Sequence, residues 1–167
     1  MKKTLLSLFA LACTLTASAD AVTFEKDGLK YEVTSPTTVR VAENKIAGVT
    51  VNVPANVENN GTTYTVNSIG EKAFYWDKVI NVTLPETIDS IYDHAFNGTK
   101  IVDLTLPSKL VYIGNYAFNS TNLESITIPA SVNISAAALS SPALIFRPLP
   151  SKATLRSLAE QYSTTHP

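Results

Sequence analysis

Apolar and polar positions between Ile69 and Val132 follow one pattern spoken three times, at a spacing of 22 residues, with the last copy one residue shorter. The copies start at Ile69, Ile91 and Ile113, and each carries an Ala-Phe pair at the same place: Ala73-Phe74, Ala95-Phe96 and Ala117-Phe118. A period of about 20 to 29 residues with apolar residues in register marks a solenoid, in which each repeat is one turn of a coil. Within each copy a short stretch alternates with period two. Val82 and Leu84, Leu104 and Leu106, Ile126 and Ile128 are expected to face inward. Asn81 and Thr83, Asp103 and Thr105, Ser125 and Thr127 are expected to face outward. Pro85, Pro107 and Pro129 follow at once and end the strand, because proline has no N–H for a ladder. A second apolar pair then returns to the core, Ile88 with Ile91, Leu110 with Ile113 and Val132 with Ile134. The Ala-Phe segments between them are long enough for a short helical turn, with phenylalanine filling the interior and alanine leaving room for close backbone.

The pattern thins on both sides. Residues 20–68 read as an amino-terminal β cap and a first atypical repeat: β-rich runs at Leu29 to Thr34, Thr37 to Ala42 and Val49 to Val53 are broken by Asp27-Gly28, Ser35-Pro36 and Asn44. Asn60-Gly61 predicts a tight hairpin from Val53 to Tyr64-Thr65-Val66, since these residues accept the positive φ angles that such a turn requires. Val51-Asn52-Val53-Pro54 copies the end of the repeat, so the coil is expected to begin there. Residues 69–150 then hold three clear repeats and a degenerate one, in which Leu144 to Pro150 stands 21 residues after Leu123 to Pro129. In residues 151–167, Leu155, Leu158, Ala159 and Tyr162 form one apolar face, and Ser151 is placed to cap a helix closing the far end.

The Ile-Gly-x-x-Ala-Phe opening, followed by a Leu-x-x-Ile-x-Ile-Pro strand as in Leu123 to Pro129, resembles the BspA-type leucine-rich repeat of bacterial surface antigens. Proline stands where the usual leucine-rich repeat has asparagine. Asp27 to Val33 and Gly61 to Val66 are similar to that family's amino-terminal cap, and Pro150 to Tyr162 to its closing helix. The resemblance implies a mainly β fold, a short solenoid with a β cap and a capping helix. It also implies an exported or surface-displayed, non-catalytic binding protein with adhesion to protein or glycan partners.

Residues 1–19 sharpen the export reading. Lys2 and Lys3, the apolar run Leu5 to Leu15 and Ala17-Ser18-Ala19 have the layout of a secretory signal peptide cleaved after Ala19. The run is about 11 residues, short of the roughly 20 needed to span a bilayer. Ala10-Leu11-Ala12-Cys13 allows an alternative, a lipoprotein signal with Cys13 as the lipidated residue, although alanine replaces the leucine such signals favour. Cleavage after Ala19 leaves no cysteine, and 11 basic against 14 acidic residues, a net charge of −3. A balance without basic runs does not suit nucleic acid.

Candidate chemistry is thin. His94 falls on an outer turn where Lys72 and Tyr116 stand in the sister copies, which reads as a solvated surface position, and His166 is next to last. No metal-ligand cluster, nucleophile elbow or phosphate loop is present, so neither an enzyme, a cofactor nor a metal is expected. Five Asn-x-Ser/Thr triplets arise readily in turns this rich in Asn, Ser and Thr, and Asp89-Ser90-Ile91 resembles a bacterial O-glycosylation site. The expected partner face is the polar row Asn81, Thr83, Asp103, Thr105, Ser125 and Thr127 of a monomer, bordered by Trp76. Trp76 stands where Gly98 and Ser120 stand in the other copies, and reads either as an aromatic anchor or as packing over the Asn59-Asn60-Gly61 hairpin. The alternative to a binding module is a structural or accessory envelope protein without a dedicated ligand.

Overall fold

A computed structural model of the chain describes residues 21–45, 48–134 and 145–148. Residues 1–19, read above as a signal peptide and including Cys13, the helix expected over 151–167 and His166 lie outside the described residues. The chain opens with β1 (Thr23–Lys26), β2 (Leu29–Val33), β3 (Thr38–Val41), β4 (Thr50–Asn52), β5 (Asn56–Asn59) and β6 (Thr62–Ile69). It continues with β7 (Asn81–Thr83), β8 (Ser90–Ile91), β9 (Tyr112–Ile113), β10 (Ser125–Ile128), β11 (Asn133–Ile134) and β12 (Ile145–Pro148). Among the described residues there is no helix.

The main sheet runs β1-β2-β3-β6-β8-β9-β11, with β5 also on β6. Its first strands are antiparallel, β1 with β2 and β2 with β3. From β3 onward every step along that path is parallel. In the parallel part Ile69 pairs Ile91, Ile91 pairs Ile113 and Ile113 pairs Ile134, so the repeat read from the sequence is the register of the sheet. Among the described residues, two of the three antiparallel hairpins, β1-β2 and β5-β6, turn on the same chemistry. Asp27 and Gly28 have φ of 51° and 78°, and Asn60 and Gly61 51° and 77°, the pair of positive angles that matches the twist of the flanking strands. The second of these was legible as a hairpin, and the first only as a break.

A column of phenylalanines fills the coil. Phe74 and Phe96 stack with ring centroids 5.2 Å apart and planes 13° from parallel, and Phe96 and Phe118 at 5.6 Å and 5°. With Ile69, Ile88, Ile91, Leu110 and Ile113 they are all but completely removed from solvent, each worth about 1.5–3 kcal/mol of burial. Ala73, Ala95 and Ala117 are fully buried beside them. At the amino-terminal end Tyr31, Val39 and Val41 continue the core. There the backbone oxygen of Val41 passes so close to Gly70 that a Cβ would lie 2.6 Å from it.

The segments around the phenylalanines are successive tight turns rather than helical ones. Alternate N–H groups bond three residues back, as from Tyr75 to Lys72 (3.1 Å) and from Asn97 to His94 (3.1 Å). The intervening N–H groups cross to the next repeat: Lys72, Phe74 and Trp76 donate to Asp93, Ala95 and Asn97 at 2.8–3.0 Å, and His94, Phe96 and Gly98 to Asn115, Ala117 and Asn119 at 2.8–2.9 Å. Neighbouring turns are thus joined by an unbroken ladder. Two residues per repeat adopt left-handed φ to make it, Lys72, His94 and Tyr116 in one row and Trp76, Gly98 and Ser120 in the other.

Candidate functional site

The polar row has the expected sidedness. Asn81, Thr83, Asp103, Thr105, Ser125 and Thr127 are all exposed. Leu104, Leu106, Ile126 and Ile128 between and beside them are buried, while Val82 and Leu84 are half-buried. The pairing of the row is less regular than the repeat implies. β4 pairs β7 in parallel, with Val51 opposite Val82. Beyond β7 the row is joined to the next repeat by a single bridge, Asn81 to Asp103, and Leu104 to Leu106 form no ladder strand. β10 resumes pairing, with β12. Its register sets Ser125 against Ile145 and Ile126 against Phe146, one residue short of the alignment that places Leu144 opposite Leu123.

Where the ladder is interrupted the surface is recessed. One recess of about 590 Å³ lies between Asp103–Leu106 and Ser125–Thr127, floored by Leu104 and Ile126. A second of about 310 Å³ lies between Asn81–Leu84 and Asp103–Thr105. Both contain Asp103, the second also contains Glu86, and among the described residues no lysine or arginine lines either. The Ser108 hydroxyl and N–H donate to the Glu86 carboxylate at 2.7 and 3.0 Å and hold its pKa below the ordinary value. The row therefore offers hydroxyls, amides and fixed negative charge to a partner.

Trp76 stands on the turn that leads into β7. Its ring lies over Gly98, where an added Cβ would sit 2.6 Å from Cδ2, and its other ring neighbour is Tyr75, edge-on at 6.3 Å. It faces the second repeat at Gly98. From Tyr75 the aromatic contacts continue to His94 (6.1 Å, edge-on) and from His94 to Tyr116 (5.2 Å, planes 15° apart). His94 is accordingly not a freely solvated turn residue; it is half-buried, and its Nδ1 lies 2.9 Å from Asn97 Nδ2. Sequence reading named Trp76 alone. The signal for the rest lay in the common position of His94 and Tyr116, one repeat apart. At Trp76 the left-handed φ of 57° costs a bulky side chain about 1–2 kcal/mol, while Gly98 takes the equivalent conformation without that penalty.

Among the described residues no group of His, Cys, Asp and Glu could hold a metal ion, and no helix is long and apolar enough to cross a membrane. Parallel turns stacked on a buried phenylalanine column, with an exposed strand row on one side, define a leucine-rich-repeat type of solenoid, a class built to present surface. A family model of the BspA type leucine-rich repeat region matches residues 52–157 in six copies, and the chain belongs to that family. Its structure is similar to that of a leucine-rich repeat protein from Bacteroides capillosus, with a TM-score of 0.67, 30% identity and coverage of 77% of this chain and 99% of that one. The fold is shared with a leucine-rich repeat protein from Bacteroides ovatus (TM-score 0.54, 24% identity, 76% of this chain and 41% of that one). It is also shared with the pneumococcal vaccine antigen PcpA (0.51, 17%, 77% and 50%). The chain thus spans about half or less of the last two. No curated protein matches it.

Proposed function

We propose that this protein is an exported, non-catalytic binding module that docks a protein or glycan partner on the polar row, in the manner of an adhesin. The observation that carries this reading is the interrupted ladder. Leu104 to Leu106 lie beside β10 without pairing to it, so polar side chains and strand backbone are both presented at a recess with an apolar floor. Repeat arrays use such extended surfaces for macromolecular partners, and an open recess that merges with the surface suits an extended segment better than a buried small molecule. The acidic character of the recesses favours a partner that brings hydrogen-bond donors or positive charge. In the same reading β1, β2 and β3 cap the first turn of the coil, residues 151–167 close its last one, residues 1–19 direct export with cleavage after Ala19, and the mature chain acts as a monomer.

The test is a binding screen of the mature protein, immobilised by its carboxy terminus, against extracellular matrix proteins and bacterial surface extracts, followed by Asp103→Arg with Thr105→Arg. Binding that disappears in the double variant supports the reading. A partner that binds parent and variant alike removes the row from consideration, and absence of any partner favours an accessory envelope role.

A further inference from the structure

The turn surface carries a feature that neither the coil nor the polar row requires. Trp76 is 62% exposed, so its ring is not there to be buried. It occupies a left-handed position that the sister turns give to Gly98 and Ser120, residues better suited to it or smaller. Gly98 in turn lacks the Cβ that would push the indole away, and the ring rests on the glycine backbone with one face covered and the other open. The backbone beneath is fixed by the bond from Trp76 N–H to Asn97 O at 2.9 Å. Tyr75, His94 and Tyr116 extend this platform across three repeats, and Tyr116 is itself 40% exposed. A strained, solvent-facing and pre-positioned aromatic is a mark of recognition rather than of folding.

The kind of partner follows from the surroundings. Among the polar groups of the next turns, Ser120 is exposed and Asn119 half-buried, their hydroxyl and amide 3.2 Å apart, while Asn97 is buried against His94. The face of an indole is electron-rich, and it is complementary to the C–H face of a pyranose, whose hydrogens are made positive by the ring and hydroxyl oxygens. The Asn119 amide and the Ser120 hydroxyl alongside are suited to the equatorial hydroxyls of the same sugar chain. We propose that Trp76, with Tyr75, His94 and Tyr116, forms a carbohydrate-binding edge on the turns that takes a neutral glycan chain by stacking a pyranose on the open indole face. This edge is built from turn residues and uses none of the side chains of the polar row.

Trp76 is the sole tryptophan, so intrinsic fluorescence reports on this ring alone. The mature protein is titrated with cellohexaose, chitohexaose, laminarihexaose and mannohexaose, and the same sugars are followed by calorimetry. The expected result is a saturable blue shift or quench with at least one of them. Calorimetric binding should be lost in Trp76→Ala and weakened about fivefold or more in Tyr116→Ala, and should be unchanged in the Asp103→Arg, Thr105→Arg variant. Circular dichroism of the exposed-residue variants confirms that they are folded. The proposal is overturned if no sugar of the panel binds, or if Trp76→Ala binds as the parent does. It is equally overturned if the fluorescence shift appears with protein concentration alone and sedimentation shows a dimer, in which case the edge is a self-association surface.

Discussion

The Phe96 ring stacks on Phe118 at 5.6 Å with 5° between their planes, while His94, two residues from Phe96, stacks on Tyr116 at 5.2 Å and 15° on the outside of the same turn. Two parallel aromatic pairs thus join the same two repeats, one in the core and one at the surface. Phe96→Ala is expected to cost about 3–5 kcal/mol by leaving a cavity between two rings. His94→Ala loses a partly solvated ring contact and is expected to cost about 0.5–1.5 kcal/mol. Urea titrations of both variants give the comparison; equal costs would mean that the phenylalanine column does not carry the coil.

Glycines separate two effects that are often merged. At Gly114 a Cβ would lie 2.3 Å from Asp93 Oδ1 and 2.6 Å from its backbone N. Asp93 is there because it accepts from Asn115 N at 2.8 Å and from Asn115 Nδ2 at 3.2 Å. Gly114→Ala is therefore expected to destabilise by about 1–3 kcal/mol through overpacking. At Gly28 nothing lies within 4 Å of a Cβ, but φ is +78°. Gly28→Ala should cost about 1–2 kcal/mol by conformation alone, and Gly28→Asn less than Gly28→Ala. Thermal unfolding of the three variants distinguishes the mechanisms.

Tyr31 gives a pH dependence with a defined sign. Its hydroxyl is buried without a hydrogen-bond partner, and burial, helped by the charge of Asp27, pushes its pKa up to about 12 from 10.0. The folded state holds this proton more tightly than the unfolded chain does. Its contribution is thus fully present below about pH 10 and is lost as pH rises through 10 towards 12, by about 2–3 kcal/mol. Tyr31→Phe keeps the stacking on Phe24, now 5.4 Å away, and removes the unsatisfied hydroxyl. It should equal or exceed the parent in stability at neutral pH and show a shallower alkaline decline. A steeper decline in the variant would contradict the assignment.

The polar row should be separable from the fold. Asp103 and Thr105 are exposed and lie outside the turn ladder, so Asp103→Arg with Thr105→Arg is expected to change stability by less than about 0.5 kcal/mol while removing partner binding. Loss of stability together with binding would show that the row has a structural task.

Much of this architecture was readable because a repeat converts spacing directly into register: Ile69, Ile91 and Ile113 are partners because they are equivalent. The same logic assigned Phe74, Phe96 and Phe118 to the interior. It overreached at Leu104 to Leu106, where alternation marks the buried side correctly but says nothing of whether neighbouring backbones come close enough to bond. It also slipped by one residue at Ile145, because a degenerate repeat offers no strong residue to anchor the alignment. The aromatic edge was hidden for a third reason. Tyr75, Trp76, His94 and Tyr116 meet only because the turns pass through left-handed residues, a conformation that side chains such as tryptophan do not announce in a sequence.

The ladder of turn hydrogen bonds has a consequence for how this coil can change. Cohesion between one repeat and the next is supplied by backbone N–H and C=O groups of residues such as Lys72, Phe74 and Trp76, groups that every amino acid except proline possesses. The outward residues of the row are thereby released from holding neighbours together. Substitution there can explore new ligands at little structural risk, and a whole repeat can be duplicated or deleted without inventing a new joint, so that variation in reach and variation in taste are inherited independently.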